Sequence, residues 1–351
     1  MSLGPIMLDL RDKELAPDEA ELLKHPLVGG VILFSRNYES PLQITELTST
    51  IHELREPRLL VSVDHEGGKV QRFRSGFSRL PACRIIGEQY DKDNTLGLDL
   101  ARQTGWLMAV ELLAVGVDFS FSPVLDLDKG ICSVIGDRSF HREPEVVAAL
   151  SKQYIRGMKK AGMMAVGKHF PGHGSVVEDS HHAIPVDNRR YADIQMDDMI
   201  AFERLIHAGI ASLMPAHVIY SAIDNKPAGF SGRWLQDILR KQLDFQGVIF
   251  SDDISMAGAE VMGNYTERAR AALAAGCDMV LICNNQVAAI EVLENLDRSL
   301  NPASQVRLMR MHGKNKITHT ELVKEPEWQR ISNKITKLDC NPELGLGDDE
   351  I

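Results

Sequence analysis

Residues 164–182 read MAVGKHFPGHGSVVEDSHH, and the fold of the whole chain can be worked out from this stretch. A short apolar run ends at a glycine, Lys168 and His169 follow it, and proline and glycine residues then begin a polar loop. Lysine is rarely buried without a partner, and loops crowded with histidine and aspartate often carry catalytic groups. The pattern therefore predicts a buried strand that places Lys168 and His169 at its carboxyl end. The loop after it is predicted to present Asp179 and His181.

The same alternation of a short apolar run and an amphipathic stretch continues along the chain in both directions. The eight predicted strands are runs 5–9, 29–34, 59–64, 117–126, 164–170, 211–217, 247–253 and 278–284. Alternating β and α elements predict a parallel sheet, and eight such units in about 300 residues predict a single-domain (β/α)8 TIM-type barrel. A doubly wound sheet is the alternative fold, but no GxGxxG motif follows the first strand.

The segments between and after the strands complete this prediction. The predicted helices include residues 144–161, 191–208, 232–243, 265–275 and about 286–299. After residue 300 the periodicity weakens, and residues 301–340 are interpreted as helices that pack on the outside of the barrel, with a frayed acidic tail behind them. The predicted domains are therefore a catalytic barrel over residues 1–300 and a C-terminal helical extension over residues 301–351.

Polar side chains stand at or just after the carboxyl ends of the predicted strands. They are Asp9, Arg36, Asp64, Asp126, Lys168, His169, His217, Asp252 and Asn284. In a barrel these ends converge on one mouth, where active sites are built. Core strands would not need to end in polar residues this consistently. With Arg72 and Arg138 added, the mouth suits a sugar, because each sugar hydroxyl both donates and accepts hydrogen bonds.

The composition limits the class of protein. The 351 residues are 44% hydrophobic and 25% charged, and the net charge of −10 argues against a nucleic-acid surface. Five scattered cysteines without CxxC spacing predict a reducing compartment and no structural zinc. No signal peptide and no apolar run of membrane-spanning length are recognised, so we expect a cytoplasmic protein with no membrane partner. A monomer is expected, and a dimer is left open.

Two groups of residues are candidates for catalysis. Asp252 ends an apolar strand and is expected to point into the mouth, whereas Asp253 suits a helix N-cap, since residues 254–257 could open a helix. Asp179 and His181 are separated by one residue, so both side chains point to the same side of an extended segment. The carboxylate can orient the imidazole and raise its pKa, which makes His181 a candidate general acid and base.

The residues alone leave other mechanisms open. Asp252 and Asp253 could form a carboxylate pair for substrate-assisted hydrolysis. His169, His173, His181 and Asp252 could form a metal-dependent hydrolase site, although the histidine spacing fits no zincin pattern. Lys168 could form a Schiff base in a lyase, and a sugar-binding barrel without catalysis is the last alternative.

Several of these segments resemble bacterial β-N-acetylglucosaminidases of glycoside hydrolase family 3. The motifs that carry the resemblance are KHFPGHG at 168–174 with DSH at 179–181, VDHEGG at 63–68 with QRF at 71–73, MPAH at 214–217, FSDDISM at 250–256 and GCDMVLICN at 276–284. The resemblance runs from about residue 4 to residue 300. It is strongest to the short, single-barrel cytoplasmic enzymes of Gram-negative bacteria that recycle peptidoglycan.

The resemblance implies an activity and a set of site residues. It implies exo-cleavage of terminal β-linked N-acetylglucosamine, especially from N-acetylglucosaminyl-anhydro-N-acetylmuramic acid and its peptides, with retention through a covalent glycosyl-enzyme and without a metal or cofactor. Carried over by position, Asp252 is the nucleophile, and His181 is the acid/base tuned by Asp179. The residues that would hold the sugar are Asp64, Arg72, Arg138, Lys168 and His169. His65, where glutamine is expected, and His182 depart from the family pattern.

Overall fold

Short apolar strands form the centre of the molecule, and the computed structural model describes residues 2–180, 184–297, 301–314 and 317–339. The eight central strands are β1 (Ile6–Asp9), β2 (Val28–Leu33), β3 (Leu60–Val63), β4 (Phe119–Ser120), β5 (Val166–Phe170), β6 (Ser212–Pro215), β7 (Val248–Ile249) and β8 (Val280–Ile282). Most of their residues are buried on both faces, which explains why they are apolar throughout rather than alternating.

All neighbouring central strands are parallel, and they close into a barrel. The order of hydrogen-bonded strands is β8-β1-β2-β3-β4 in one sheet and β7-β6-β5 in the other. A backbone bridge between Val124 and Lys168 joins the two sheets between β4 and β5. A bridge between Phe250 and Met279 joins them between β7 and β8. Inside the barrel the rings of Phe119 and Phe250 lie 5.2 Å apart. The predicted TIM-type barrel is confirmed, and the doubly wound alternative is wrong because the sheet has no open edge between these strands.

Helices alternate with the strands on the outside of the barrel. They are α1 (Pro17–Leu23), α2 (Pro41–Glu53), α3 (Cys83–Lys92), α4 (Asn94–Ala114), α5 (Pro144–Ala161), α6 (Tyr191–Gln195), α7 (Met199–His207), a π-helical segment Arg233–Gln242, α8 (Tyr265–Ala275) and α9 (Gln286–Asn295). Proline occupies the first turn of α1, α2 and α5, where its missing N–H has no helical partner to lose.

Smaller elements decorate the mouth of the barrel. After β3 the chain forms an antiparallel hairpin of His65–Gly67 with Val70–Gln71. Val186–Asp187 and Ile219–Tyr220 form a second, parallel pair.

Among the described residues, no helix combines the length and the apolar character needed to cross a bilayer. The described cysteines are buried free thiols.

Three local predictions are wrong. Residues 191–208 form two helices instead of one, because Asp198 lies at the break and its buried carboxylate binds Lys129 at 2.9 Å and Arg189 at 2.7 Å. The helix predicted to reach residue 299 ends at Asn295. Asp253 caps a turn rather than a helix, since its carboxylate accepts the backbone N–H of Ser255 and the next helical turn starts only at residue 257.

The chain continues into helices α10 (Pro302–Met309), α11 (His319–Leu322) and α12 (Pro326–Thr336). Helix α12 packs against α4, and its Ile331 and Ile335 are buried there. The indole Nε1 of Trp328 donates a hydrogen bond to the carboxylate of Glu111 in α4, at 2.8 Å. The acidic tail from residue 340 onward lies outside the described residues.

Candidate active site

A cavity of about 290 Å3 opens at the carboxyl ends of the barrel strands. Seven of the residues predicted for the site line it, namely Asp64, Arg72, Arg138, Lys168, His169, Asp179 and Asp252. The eighth, His181, lies outside the described residues, as does His182. The convergence follows from the barrel, since parallel strands bring all their carboxyl ends to one face.

A network of buried ion pairs forms one wall of the cavity. Lys168 Nζ lies 2.8 Å from Asp64 and 2.6 Å from Glu66. The same Glu66 accepts two hydrogen bonds from Arg138, at 2.8 Å from Nε and 2.9 Å from Nη2. Negative and positive groups therefore alternate from Asp64 to Arg138, and each holds its neighbour in a defined orientation for polar recognition.

The network keeps Lys168 and Glu66 charged at neutral pH. Burial opposes the charge on Lys168, but the carboxylates of Asp64 and Glu66 raise the pKa of its ammonium above the ordinary value. Burial alone would also raise the pKa of Glu66, but Arg138 and Lys168 hold that pKa well below its usual range. A Schiff base needs a neutral amine, so the ion pairs argue against the lyase mechanism through Lys168.

His169 is held by a carboxylate that lies beneath the cavity. Its Nδ1 donates to Asp126 at 2.7 Å, and Asp126 also accepts the backbone N–H of His173 at 2.7 Å. Asp126 is fully buried; burial would raise its pKa, but the two histidines lower it, so the carboxylate stays ionised. Because Nδ1 donates to Asp126, a sugar hydroxyl in the cavity would meet Nε2 of His169.

Arg72 reaches the cavity from the loop that follows the hairpin. Its guanidinium carbon lies 5.7 Å from the centre of the Phe34 ring, a cation–π distance. Its Nε is buried and has no hydrogen-bond partner among the described residues. A buried donor without a partner is costly, so this nitrogen suits an acceptor atom of a bound ligand.

The two adjacent aspartates after β7 have different surroundings. Asp253 accepts hydrogen bonds from the backbone N–H of Ser255 at 2.9 Å, from its hydroxyl at 2.6 Å and from the N–H of Cys283 at 3.1 Å. Burial raises the pKa of Asp253 to about 6. Asp252 accepts the N–H of Asp253 at 2.9 Å and lines the cavity. Both aspartates line the cavity, but the carboxylate of Asp253 is committed to hydrogen bonds that hold the turn.

The loop that carries Asp179 is anchored at its start. The hydroxyl of Tyr220 donates to the carbonyl oxygen of Gly172 at 2.8 Å, and Lys129 donates to the hydroxyl of Ser175 at 2.8 Å. The ring of His173 lies 3.2 Å from the hydroxyl of Ser180. These contacts hold the described part of the loop against the cavity, where Asp179 and Ser180 both line the wall.

The sequence patterns predict no role for two carboxylates of the site. The strand ends place Asp126 at the barrel mouth without a function, and Glu66 appears only as part of the VDHEGG motif. The need of a buried Lys168 for counter-charges could have pointed to Glu66, which follows Asp64 in a glycine-rich turn. Asp126 gave no separate signal, because its partner His169 lies 43 residues away in the chain.

His65, one of the two departures from the family pattern, lies behind the cavity wall. It is fully buried between the rings of Phe73 and Phe77, at centroid distances of 5.8 and 5.7 Å. Burial lowers the pKa of His65 to about 3, so the imidazole is neutral and packs as an aromatic ring. Neither ring nitrogen has a hydrogen-bond partner among the described residues.

The described residues contain no group of three or more histidine, cysteine, aspartate or glutamate side chains arranged to hold a metal ion. The set proposed for a metal-dependent hydrolase also includes His181, which lies outside the described residues.

Comparison with known proteins assigns the chain to a family. Residues 6–311 match the model of the glycosyl hydrolase family 3 N-terminal domain. A β-hexosaminidase from Thioalkalivibrio sulfidiphilus is 60% identical over 346 residues, which cover 99% of each chain. NagZ from Neisseria gonorrhoeae, solved in complex with N-trifluoroacetyl-D-glucosamine, has a TM-score of 0.92 at 42% identity, and the match covers 96% of this chain and 98% of that one. A family 3 β-N-acetylglucosaminidase from a Paenibacillus species has a TM-score of 0.79 at 27% identity, with 99% and 64% covered.

The chain therefore belongs to glycosyl hydrolase family 3. Within that family it is a β-N-acetylhexosaminidase, like the curated relatives named β-hexosaminidase. The resemblance found in the motifs is confirmed, and the lyase and non-catalytic interpretations are set aside.

Proposed function

We propose that the enzyme is a retaining exo-β-N-acetylglucosaminidase that works through a covalent glycosyl-enzyme. In this proposal Asp252 is the nucleophile, and His181, oriented by Asp179, is the acid/base. The observation that carries the proposal is that Asp252 lines the same cavity as the ion-pair network of Asp64, Lys168 and its neighbours. A nucleophile and a set of rigid polar groups around one small cavity suit a single terminal sugar.

The mechanism follows from these assignments in two steps. Asp252 attacks the anomeric carbon while the His181 imidazolium gives its proton to the leaving oxygen, so the glycosidic bond breaks as the bond to Asp252 forms. His181 then takes a proton from water, whose oxygen displaces Asp252 and releases the β-anomer. Retaining enzymes usually place two carboxyl groups about 5–5.5 Å apart. A neutral imidazole base avoids the repulsion that a second carboxylate would have against Asp252.

The sugar is held, in this proposal, by Asp64, Arg72, Arg138, Lys168 and His169. The Asp64 carboxylate can accept a hydrogen bond from a ring hydroxyl. The Nε2 of His169 can bind a second hydroxyl, since Asp126 holds the other nitrogen of that ring. The buried Nε of Arg72 gains an acceptor when a sugar binds. The related NagZ of Neisseria gonorrhoeae was solved with N-trifluoroacetyl-D-glucosamine, an N-acylated sugar, which supports a monosaccharide subsite here.

The substrate that we propose is N-acetylglucosaminyl-anhydro-N-acetylmuramic acid, with or without its peptide, in cytoplasmic cell-wall recycling. In this role the enzyme acts on a small amino-sugar ligand without a cofactor and as a monomer. The test uses mass spectrometry to measure the release of free N-acetylglucosamine from the purified anhydro-disaccharide. Hydrolysis of aryl glycosides but not of this disaccharide would refute the recycling role and leave the hydrolase activity standing.

The experiment that tests the mechanism is proton NMR of the first product formed from an aryl β-N-acetylglucosaminide. The wild type should form the β-anomer first. Asp252→Ala should form product far more slowly than the wild type, if at all. Asp253→Asn is the matched control, and it should still form the β-anomer because Asp253 binds Ser255 and Cys283. A first-formed α-anomer would mean inversion and would overturn the two-step mechanism.

The acid role is tested separately. His181→Gln should depress hydrolysis of substrates with poor leaving groups more than hydrolysis of activated aryl glycosides, because only the former need the proton. Equal losses on both kinds of substrate would contradict an acid role for His181.

A further inference from the structure

The loop of residues 72–82 connects the cavity to the C-terminal helices. It begins at Arg72 on the cavity wall and ends where α3 begins at Cys83. Residues 74–76 are exposed, whereas Phe73 and Phe77 on either side are buried. An exposed loop that carries a ligand-binding group needs contacts from neighbouring elements to hold its position.

Glu111 of helix α4 supplies the central contact. It is fully buried, and its carboxylate accepts hydrogen bonds from the backbone N–H of Ser78 at 3.1 Å and from the Ser78 hydroxyl at 2.5 Å. The indole of Trp328 in α12 donates to the same carboxylate at 2.8 Å. The Ser78 hydroxyl also lies 2.6 Å from that of Ser332 in α12. One buried carboxylate therefore joins the cavity loop to α12, the last α-helix of the described chain.

The contact reaches Arg72 through a single side chain. Gln71, the residue before Arg72, donates to the carbonyl oxygen of Ser78 at 3.0 Å and accepts the N–H of Leu80 at 2.9 Å. The amide of Gln71 thus ties the start of the loop to the segment that Glu111 holds. A shift of Ser78 is transmitted to Arg72 across one hydrogen bond and one peptide unit.

Aromatic contacts hold the rest of the loop. Phe73 stacks on Tyr38 at a centroid distance of 4.7 Å, and His319 of α11 lies 5.9 Å from the Phe77 ring. The His319 ring also lies 3.1 Å from the carbonyl oxygen of Gly76. Two of the three C-terminal helices, α11 and α12, therefore contact this loop, although they follow residue 311, where the match to the family ends.

We infer that Glu111, with Trp328 as its anchor in α12, is a positioning residue that sets where Arg72 stands in the cavity. The inference rests on the proposed function, in which Arg72 binds the sugar. Neither Glu111 nor Trp328 lines the cavity, so each acts through the loop and not on the substrate. The C-terminal helices would then contribute to substrate affinity as well as to packing.

The test is Trp328→Phe, which keeps a half-buried aromatic ring and removes the N–H donor to Glu111. We expect KM for an aryl β-N-acetylglucosaminide to rise about fivefold with kcat changed less than about twofold, because only part of the strength of the lost hydrogen bond reaches Arg72. Trp106→Phe is the matched control, since Trp106 lies in the same helix as Glu111 and faces Lys160 instead of the loop. It should leave both constants within about twofold of wild type.

A double-mutant cycle separates this inference from the proposed function. Arg72→Ala should raise KM, and adding Trp328→Phe to it should raise KM no further, because the two changes act through one group. Arg72→Ala without effect on KM would refute the sugar-binding role of Arg72. A KM rise in Arg72→Ala but not in Trp328→Phe, or equal effects of Trp328→Phe in both backgrounds, would refute the positioning role. If Trp328→Phe does not fold, Ser332→Ala goes through the same cycle and is judged by the same outcomes.

Discussion

Glu66 joins two cations of the cavity wall, and replacing it with glutamine should weaken both the fold and the substrate site. The substitution keeps the shape of the side chain and removes its charge. The Glu66 side chain is 3% exposed and the Lys168 side chain is 4% exposed, so water hardly reaches this ion pair. Solvent therefore cannot replace the lost charge.

The magnitude follows from what each cation keeps. Removing one partner of a buried ion pair costs about 3–5 kcal/mol. Lys168 retains Asp64 at 2.8 Å, but Arg138 loses a carboxylate that it binds through two nitrogen atoms. We therefore expect a loss of about 3 kcal/mol in the free energy of unfolding, or roughly 150-fold in the folding equilibrium. KM for an aryl substrate should rise at least about tenfold, because Arg138 and Lys168 lose their fixed orientation.

The pH dependence has a defined sign. The pKa of Glu66 is lowered from its ordinary value of 4.5, so its contribution to stability is present above that value and is lost as the pH falls through the folded-state pKa. The stability difference between wild type and Glu66→Gln should therefore be largest near neutral pH and should shrink in acid.

The assay is urea unfolding followed by fluorescence, at about pH 7 and about pH 4, together with steady-state kinetics. Glu19→Gln is a control for a buried carboxylate away from the cavity, since Glu19 accepts the N–H of Arg11 at 2.9 Å in the cap of α1. It should lose stability and keep its KM. A Glu66→Gln variant within about 0.5 kcal/mol of wild type with an unchanged KM would refute the reasoning.

Three further changes test other parts of the site. Asp126→Asn weakens the 2.7 Å hydrogen bond to His169, so kcat/KM measured on an aryl glycoside should fall about tenfold or more. Gly172→Ala places a Cβ 2.5 Å from that of Asp198 at a φ of +137°, so the urea midpoint should fall by the equivalent of more than about 2 kcal/mol. Burial raises the pKa of Glu111 to about 7, so its contribution to stability is present below the ordinary 4.5 and is lost as the pH rises through 7. The urea-measured cost of Glu111→Gln should therefore diminish between those two values.

Each of these predictions has an outcome that contradicts it. Gly130→Ala is the matched control for Gly172→Ala, because Gly130 also has a positive φ, of +69°, but has nothing within 4 Å of the added Cβ. Equal costs at the two glycines would show that the contact with Asp198 is unimportant. An unchanged kcat/KM in Asp126→Asn, or a cost of Glu111→Gln that grows with pH, would disprove the corresponding argument.

Much of the fold was predictable because its signals are local. The apolar runs, the amphipathic stretches between them and the polar residues at strand ends can each be recognised within about ten residues of sequence. The failures have tertiary causes. The helix break near Asp198 depends on Lys129 and Arg189, and the turn at Asp253 depends on Cys283 from the next strand.

The residues of the candidate site also fall into those that sequence patterns indicated and those that they did not. Motifs and strand ends indicated Asp64, Lys168 and Asp252, and the barrel brings these side chains to one cavity. The partners that orient the cations and the histidine were not indicated. Glu66 lies 72 residues from Arg138, and Asp126 lies 43 residues from His169.

The class of fold and the family of the enzyme can be predicted from the sequence, and so can the end of the barrel where the candidate site lies, because each of these depends on short periodic patterns and motifs. The pairing of the charges depends on the folded chain, which places Glu66 between Lys168 and Arg138 and joins the Arg72 loop to helix α12 through Glu111. The physical reason is that an ion pair or a buried hydrogen bond forms between groups close in space, and closeness in space is set by the packing of distant segments.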